Sequence, residues 1–143
     1  MLDSAQPLEI YKGSDRVLVM LNGRVITNLA QFQVKAVPPP TPLLVHYVLA
    51  GWPTFQFGAP PDDALSNNAF PLRFHFGDNA EENIYTYKSR PFGGITETII
   101  EFEHSSAKPI IRLTFKKVVA PPQEVLDVLV TLGVEVVVDH AAV

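Results

Sequence analysis

The chain has no cysteine, which excludes a disulfide framework and any thiolate metal site. It is short of charge as well. Only 18% of its 143 residues are charged, with 11 Lys and Arg against 15 Asp and Glu, a net charge of −4. A general nucleic-acid surface needs an excess of cation, so none is expected. No apolar run reaches the length of a bilayer-crossing helix, and no membrane partner is expected. Met1-Leu2-Asp3 lacks the basic region and apolar stretch of a secretory signal, so the N-terminus is not read as one. There is no fixed-period repeat and no low-complexity segment beyond clusters of proline. What is present is 47% apolar, too much for a disordered tail, at a length that suits one domain.

Proline supplies the punctuation. Pro38-Pro39-Pro40, Pro42, Pro53, Pro60-Pro61, Pro71, Pro91, Pro109 and Pro121-Pro122 mark segment boundaries, because proline neither donates to a sheet ladder nor tolerates helix before it. Between them lie short β-branched and aromatic runs, the pattern of an all-β domain. The clearest element is a hairpin. Arg16 to Leu21 runs into Asn22-Gly23, the preferred pair for a two-residue type I′ turn, and returns through Arg24 to Thr27. That turn places Leu21 opposite Arg24, Val19 opposite Ile26 and Val17 opposite Asn28. The return strand reads as long, with Ala30, Phe32, Val34 and Ala36 on one face and Gln31, Gln33 and Lys35 on the other. Its parity clashes with Val25 and Leu29, and a β-bulge near Asn28 to Ala30 would reconcile the two.

Further on, Leu43 to Leu49 reads as a strand buried on both faces, and Trp52 to Asp63 as a packed loop. Pro71 to Phe76 alternates, with Leu72, Phe74 and Phe76 inward. Gly77-Asp78-Asn79 has turn chemistry, and Ile84 to Lys88 resumes as strand. A second hairpin joins Thr96–Glu103 to Ile110–Val118. The register that sets Glu103 opposite Ile110 aligns Glu101 with Arg112 and Glu97 with Lys116, and stacks Phe102 on Ile111 and Ile100 on Leu113. Residues 122–132 read as a short helix with Val125, Val128, Leu129 and Leu132 along one stripe, ended by Gly133. Val134 to Val138 is a terminal strand. The expectation is one mainly β domain over 1–143, a single antiparallel β-sandwich or rolled β-barrel with one short helix near the C-terminus. Proline-rich loops extend over 36–44 and 50–63, and a helix–strand unit over 122–138.

Candidate chemistry is thin. His46, His75, His104 and His140 share no i, i+2 or i, i+4 spacing, so they read as isolated surface or edge histidines, and no metal or cofactor is expected. Asp62-Asp63 and Glu81-Glu82 read as solvated loop acids. Glu97, Glu101 and Glu103 share a strand face but have Arg112 and Lys116 as simple ion-pair partners. No Gly-x-Ser-x-Gly elbow exists, and Gly93-Gly94 precedes a strand rather than a helix, so it is no phosphate cradle. The aromatics of the middle third read mainly as core.

Three features carry the functional expectation. The loops Ala36 to Leu44 and Ala50 to Pro61 are apolar and proline-stiffened, which lowers the entropy lost on docking. The terminal strand is β-branched and would invite aggregation as an open edge. The opening layout, a strand, a tight LNGRVI hairpin and a long strand followed by extended loops, is similar to tailed-bacteriophage virion proteins of the tail-tube and baseplate type. The resemblance covers mainly Val17 to Val37. It implies a small β-sandwich or rolled sheet with one helix that assembles into rings, a long loop packing on the next ring. Here the helix lies near the C-terminus rather than between central strands, so a capsid-decorating cement protein or a head–tail junction component stays open. The expectation is a non-enzymatic virion subunit, assembled in the host cytoplasm, with copies of itself and other virion proteins as partners. Its candidate interface residues are Pro38, Pro39, Pro40, Leu43, Trp52, Phe55, Phe57, Val134, Val136 and Val138. The alternatives are a small ligand- or carbohydrate-binding domain using Trp52, Phe55 and Phe57, and a β-barrel enzyme using His75 and nearby acids.

Overall fold

The structure, a computed structural model, describes residues 8–13, 16–37, 43–51, 53–64, 66–77, 83–103, 109–116 and 121–139. Asn22 (φ 54°) and Gly23 (φ 77°) both take left-handed backbone, as a type I′ turn demands. They join β2 (Val17–Leu21) to β3 (Arg24–Ile26), with Leu21 opposite Arg24 in the expected register. The long return strand does not form as one piece. At Thr27-Asn28 the chain leaves this sheet and begins β4 (Leu29–Ala36) in a second one, so Asn28 does not reach Val17. Within β4 the expected alternation holds: Phe32, Val34 and Ala36 are buried, while Gln31, Gln33 and Lys35 are exposed. The bulge is there too, between Leu29 and Gln31, against β5 (Leu44–Leu49).

The first sheet has seven strands. With β1 (Leu8–Lys12), β6 (Phe57–Gly58), β7 (Leu72–Phe76), β8 (Ile84–Tyr87) and β9 (Arg90–Phe92), its order is β6-β3-β2-β1-β7-β8-β9. The second has five: with β10 (Ile95–Glu103), β11 (Ile110–Lys116) and β12 (Val134–Asp139), its order is β12-β11-β10-β4-β5. The fold is mainly β, two sheets packed as a sandwich and not closed into a barrel. Alternate residues of every central strand meet between the sheets. Ile10, Leu72 and Phe74 come from one side; Val34, Ile100, Ile111, Leu113 and Phe115 come from the other, all fully buried. Each such side chain stabilises the fold by roughly 1.5–3 kcal/mol. A smaller cluster of Tyr11, Met20 and Phe70 lies on the opposite face of the first sheet.

Three expectations are corrected. β5 is not buried on both faces. It is the last strand of its sheet, and Leu44 (53%), Tyr47 (44%) and Val48 (43%) are exposed. The β10–β11 hairpin is two residues out of the expected register: Glu101 lies opposite Ile110, Ile100 opposite Ile111 and Ile99 opposite Arg112. A slip of two keeps every side chain on its face, so burial is satisfied in either register. Arg112 finds its carboxylate on β12 instead, Nε standing 3.2 Å from Glu135 Oε2. Finally, the sandwich is not wholly antiparallel, because β12 pairs parallel with β11, Leu113 opposite Val136.

That parallel pairing needs a crossover, and α1 (Gln123–Thr131) supplies it. The helix buries Leu126 and Leu129, whereas Val125, Val128 and Leu132 of the expected stripe are half-buried. Gly133 (φ 85°) follows it as expected. One hydrogen bond crosses the core: the Tyr85 hydroxyl on β8 lies 2.9 Å from Thr98 Oγ1 on β10. Burial pushes the Tyr85 phenol above its ordinary 10.0, while its hydrogen bonds to Thr98 and Asn83 pull the other way. The neutral phenol is therefore favoured in the folded chain. Its contribution is whole below pH 10 and is lost as pH rises through the raised folded value. Tyr85→Phe should cost about 1–3 kcal/mol at pH 7, by leaving the fully buried Thr98 hydroxyl unpaired. In urea titrations the gap between wild type and variant should narrow above pH 10.

Candidate functional site

Two open sheets have four edges, and an edge strand is a template for further pairing unless something blocks it. Three of these edges carry a block. β6 is two residues long; β9 is three residues with Pro91 at its centre; β12 carries Glu135 and ends on Asp139. β5 carries none. Its six residues, Leu-Val-His-Tyr-Val-Leu, include no Lys, Arg, Asp, Glu or Pro, and among the described residues nothing pairs with its outer side.

Beside β5, between the sheets, lies a cleft of about 460 Å³. Leu21, Ile26, Phe32 and Val45 line its apolar part. The rings of Tyr47 and Phe55 stand 4.8 Å apart, those of Phe55 and Phe57 6.1 Å apart, and the Arg24 guanidinium lies 4.2 Å over Phe57. An aromatic wall with one cation at its rim can hold an apolar side chain or a flat small molecule.

The wall is carried by the segment that crosses from β5 to β6, and Asn28 holds it. Asn28 Nδ2 donates to the Thr54 carbonyl (3.0 Å), and Oδ1 accepts from the Gln56 N–H (2.9 Å). The Asn28 carbonyl accepts from the Ala50 N–H (2.8 Å), and the Gln56 carbonyl accepts from the Thr27 N–H (2.8 Å). Two of the three crossings between sheets are thus stitched side by side through one buried amide. The signal in the sequence was the break of parity near Asn28.

Of the candidate interface residues, Phe55 and Phe57 come together on the cleft wall. Leu43 is half-buried and packs against the core. Val134 is buried and Val136 and Val138 are half-buried, all three turned into the chain's own core, so β12 presents Glu135 and Val137 outward. Pro38, Pro39, Pro40 and Trp52 lie outside the described residues, as do His104, His140, Glu81-Glu82 and the Asp78-Asn79 turn. Sequence reading missed Tyr47, Arg24 and Asn28 as parts of the site.

Elsewhere the titratable groups meet in small local sets outside the cleft. Asp63 is hydrogen-bonded to Arg16 at 2.7 Å, which holds its carboxyl below the ordinary range. Burial, then the Glu9 carboxylate, raises the Tyr11 phenol, against the opposing Arg73. His75 lies opposite Glu9 in the β1–β7 ladder. Among the described residues no three His, Asp or Glu side chains gather as metal ligands would. No described helix is long and apolar enough to cross a membrane.

Comparison with protein-family models, with curated proteins and with solved structures finds no match. The geometry therefore stands alone.

Asn28→Ala should destabilise the fold by about 1–3 kcal/mol, since it leaves the part-buried backbone groups of Thr54 and Gln56 unpaired. Amide exchange at Gln56 should speed up far more than exchange in β10, which hydrogen-exchange NMR or mass spectrometry would read directly.

Proposed function

We propose that this chain is a non-enzymatic structural subunit of a virus particle, a phage virion protein that assembles with copies of itself or with a shell or tail protein. The observation that carries the assembly reading is the unblocked edge of β5, with Leu44, Tyr47 and Val48 exposed along it, while among the described residues the other sheet edges are blocked. A long uncharged edge is a hazard in a protein that works alone and an asset in one that pairs. The virion setting rests on the resemblance of the opening hairpin and its layout to tail-tube and baseplate proteins, with cement and head–tail junction roles as the other forms of the same reading. The subunit acts in the virion, after assembly in the host cytoplasm, and needs no cofactor.

A second reading has its own observation. Tyr47, Phe55 and Phe57 gather on one cleft with Arg24 at its rim, which favours a small ligand or carbohydrate held by ring stacking.

Light scattering and negative-stain microscopy across a concentration series separate the two. Under the assembly reading the wild-type chain forms species larger than 15.8 kDa, and Tyr47→Lys weakens them about tenfold, or ~1.4 kcal/mol. A wild-type chain that stays at 15.8 kDa while binding a glycan array, with binding abolished by Phe55→Ala, overturns assembly in favour of ligand binding.

A further inference from the structure

Resting on that assembly reading, we infer that the partner at β5 is a second copy of the same chain. Two β5 edges pair antiparallel across a twofold axis at His46, so that two five-stranded sheets become one continuous sheet.

Backbone direction comes first. The Ala50 N–H donates to Asn28 at the end of the β4–β5 ladder. Antiparallel strands alternate the side to which N–H and C=O turn. Along β5 the even-numbered residues therefore face β4, and Val45 and Tyr47 turn their N–H and C=O groups to the open side. A copy that sets its Tyr47 opposite Val45, and its Val45 opposite Tyr47, makes both pairs hydrogen-bonded pairs. Each such pair exchanges two bonds, and the twofold axis satisfies all the outward groups of Val45 and Tyr47 in both chains.

Side chains favour the same arrangement. Centred on His46, the strand reads nearly alike in both directions: Val45 and Tyr47 flank it on the core side, Leu44 and Val48 on the outer side. Across the axis Leu44 meets Val48 and Val45 meets Tyr47, small against large each time. Such self-complementarity is what a twofold contact between identical patches requires. It also brings an apolar side chain alongside the Tyr47 ring, which is 44% exposed at the mouth of the cleft.

Charge excludes the other long edge. The chain carries −4, and copies repel wherever acids face each other. β12 carries Glu135, which already belongs to an ion pair with Arg112. β5 carries no Lys, Arg, Asp or Glu, so two copies approach there without facing acids.

The test uses the absence of cysteine, which lets one introduced thiol report alone. In the proposed register residue 46 meets its own copy as a non-hydrogen-bonded pair, with Cα atoms about 4.5 Å apart. That lies inside the range a disulfide spans, about 4.4–6.8 Å. His46→Cys, on an exposed position, should cross-link under mild oxidation to twice the mass of the chain. Val137→Cys on β12, also exposed, should stay single at the same concentration. His46→Lys, which sets two like charges across the axis, should raise the dimer dissociation constant at least tenfold without lowering the melting temperature of the monomer. If His46→Cys cross-links no better than Val137→Cys, the pairing is overturned. The assembly reading survives that result if the wild type still scatters as a larger species. A wild type that remains a 15.8 kDa monomer overturns both.

Discussion

Everything in this molecule answers to one apolar layer between two sheets. Strand side chains alternate with a period of two, so each strand can give only every second residue to that layer. Ile10, Val34, Leu72, Phe74, Ile100, Leu113 and Phe115 fill it, and their neighbours are thereby turned outward. The layer fixes faces strictly and registers loosely. An odd slip in β10 against β11 would turn over one of the two strands and expel either Ile100 or Leu113 with its neighbours into water, at a cost of several kcal/mol on area grounds. An even slip expels nothing. Choice among even registers falls to weaker terms: the bulge between Ile95 and Glu97, and the ion pair that Arg112 makes with a third strand.

The layer also explains why polar groups appear inside where they do. The chain passes between sheets after β3, after β5 and after β9, and at the first two crossings its backbone leaves a ladder while close to the core. Unpaired groups there would cost about 1–3 kcal/mol each. Asn28 answers for both crossings with one amide, offering a donor to Thr54 and an acceptor to Gln56. Placing Phe55 and Phe57 on the cleft wall is a consequence of that stitch, because the segment between Ala50 and Gln56 is held at both ends by the same residue and its neighbour Thr27. Tyr85 and Thr98 do comparable work across the layer, joining the sheets by a bond that burial makes sensitive to alkali.

The parts legible in the sequence were those whose cause is local. Asn22-Gly23 needs positive φ at both positions and shows it; Gly133 closes the helix; Leu72, Phe74 and Phe76 alternate inward. The parts not legible had distant causes. Nothing in residues 24–36 says that β3 and β4 belong to different sheets, beyond a broken parity that a bulge explains equally well. Leu44 to Leu49 looks like an interior strand because its residues are apolar; its place at the edge is decided by which strands have partners elsewhere. The turn at Lys88 (φ 47°) and Ser89 (φ 67°) takes left-handed backbone without the residues that favour it, so no local signal announced β9. In the helix, Leu129 of the expected stripe is fully buried, but Leu126 joins it while Val125 is only half-buried, because both are apolar and only the sheet beneath selects between them. The β5 edge shows the same division. Its lack of Lys, Arg, Asp and Glu was visible, but the contrast that gives it meaning, three blocked edges against one open among the described residues, exists only in the folded arrangement.

That contrast constrains what assembly can follow. A molecule with two open edges pairs head to tail and grows without limit; one with a single self-complementary edge closes after one step. β6, β9 and β12 are too short, proline-bearing or charged to continue a sheet, so the proposed pairing at β5 would use up the growing end. Any larger particle must then draw on side-chain surfaces instead of ladders. The outer face of the second sheet offers one, with Gln31, Gln33 and Lys35 on β4, Ile110 on β11 and Val137 on β12, polar enough for water and apolar enough to bury. A second cleft, about 570 Å³ between α1 and the β8–β9 hairpin, offers another, lined by Lys88, Arg90, Glu124, Val125 and Val128. Strand pairing would set the dimer and these faces its stacking, a division that keeps an edge-bearing β protein from becoming a fibre.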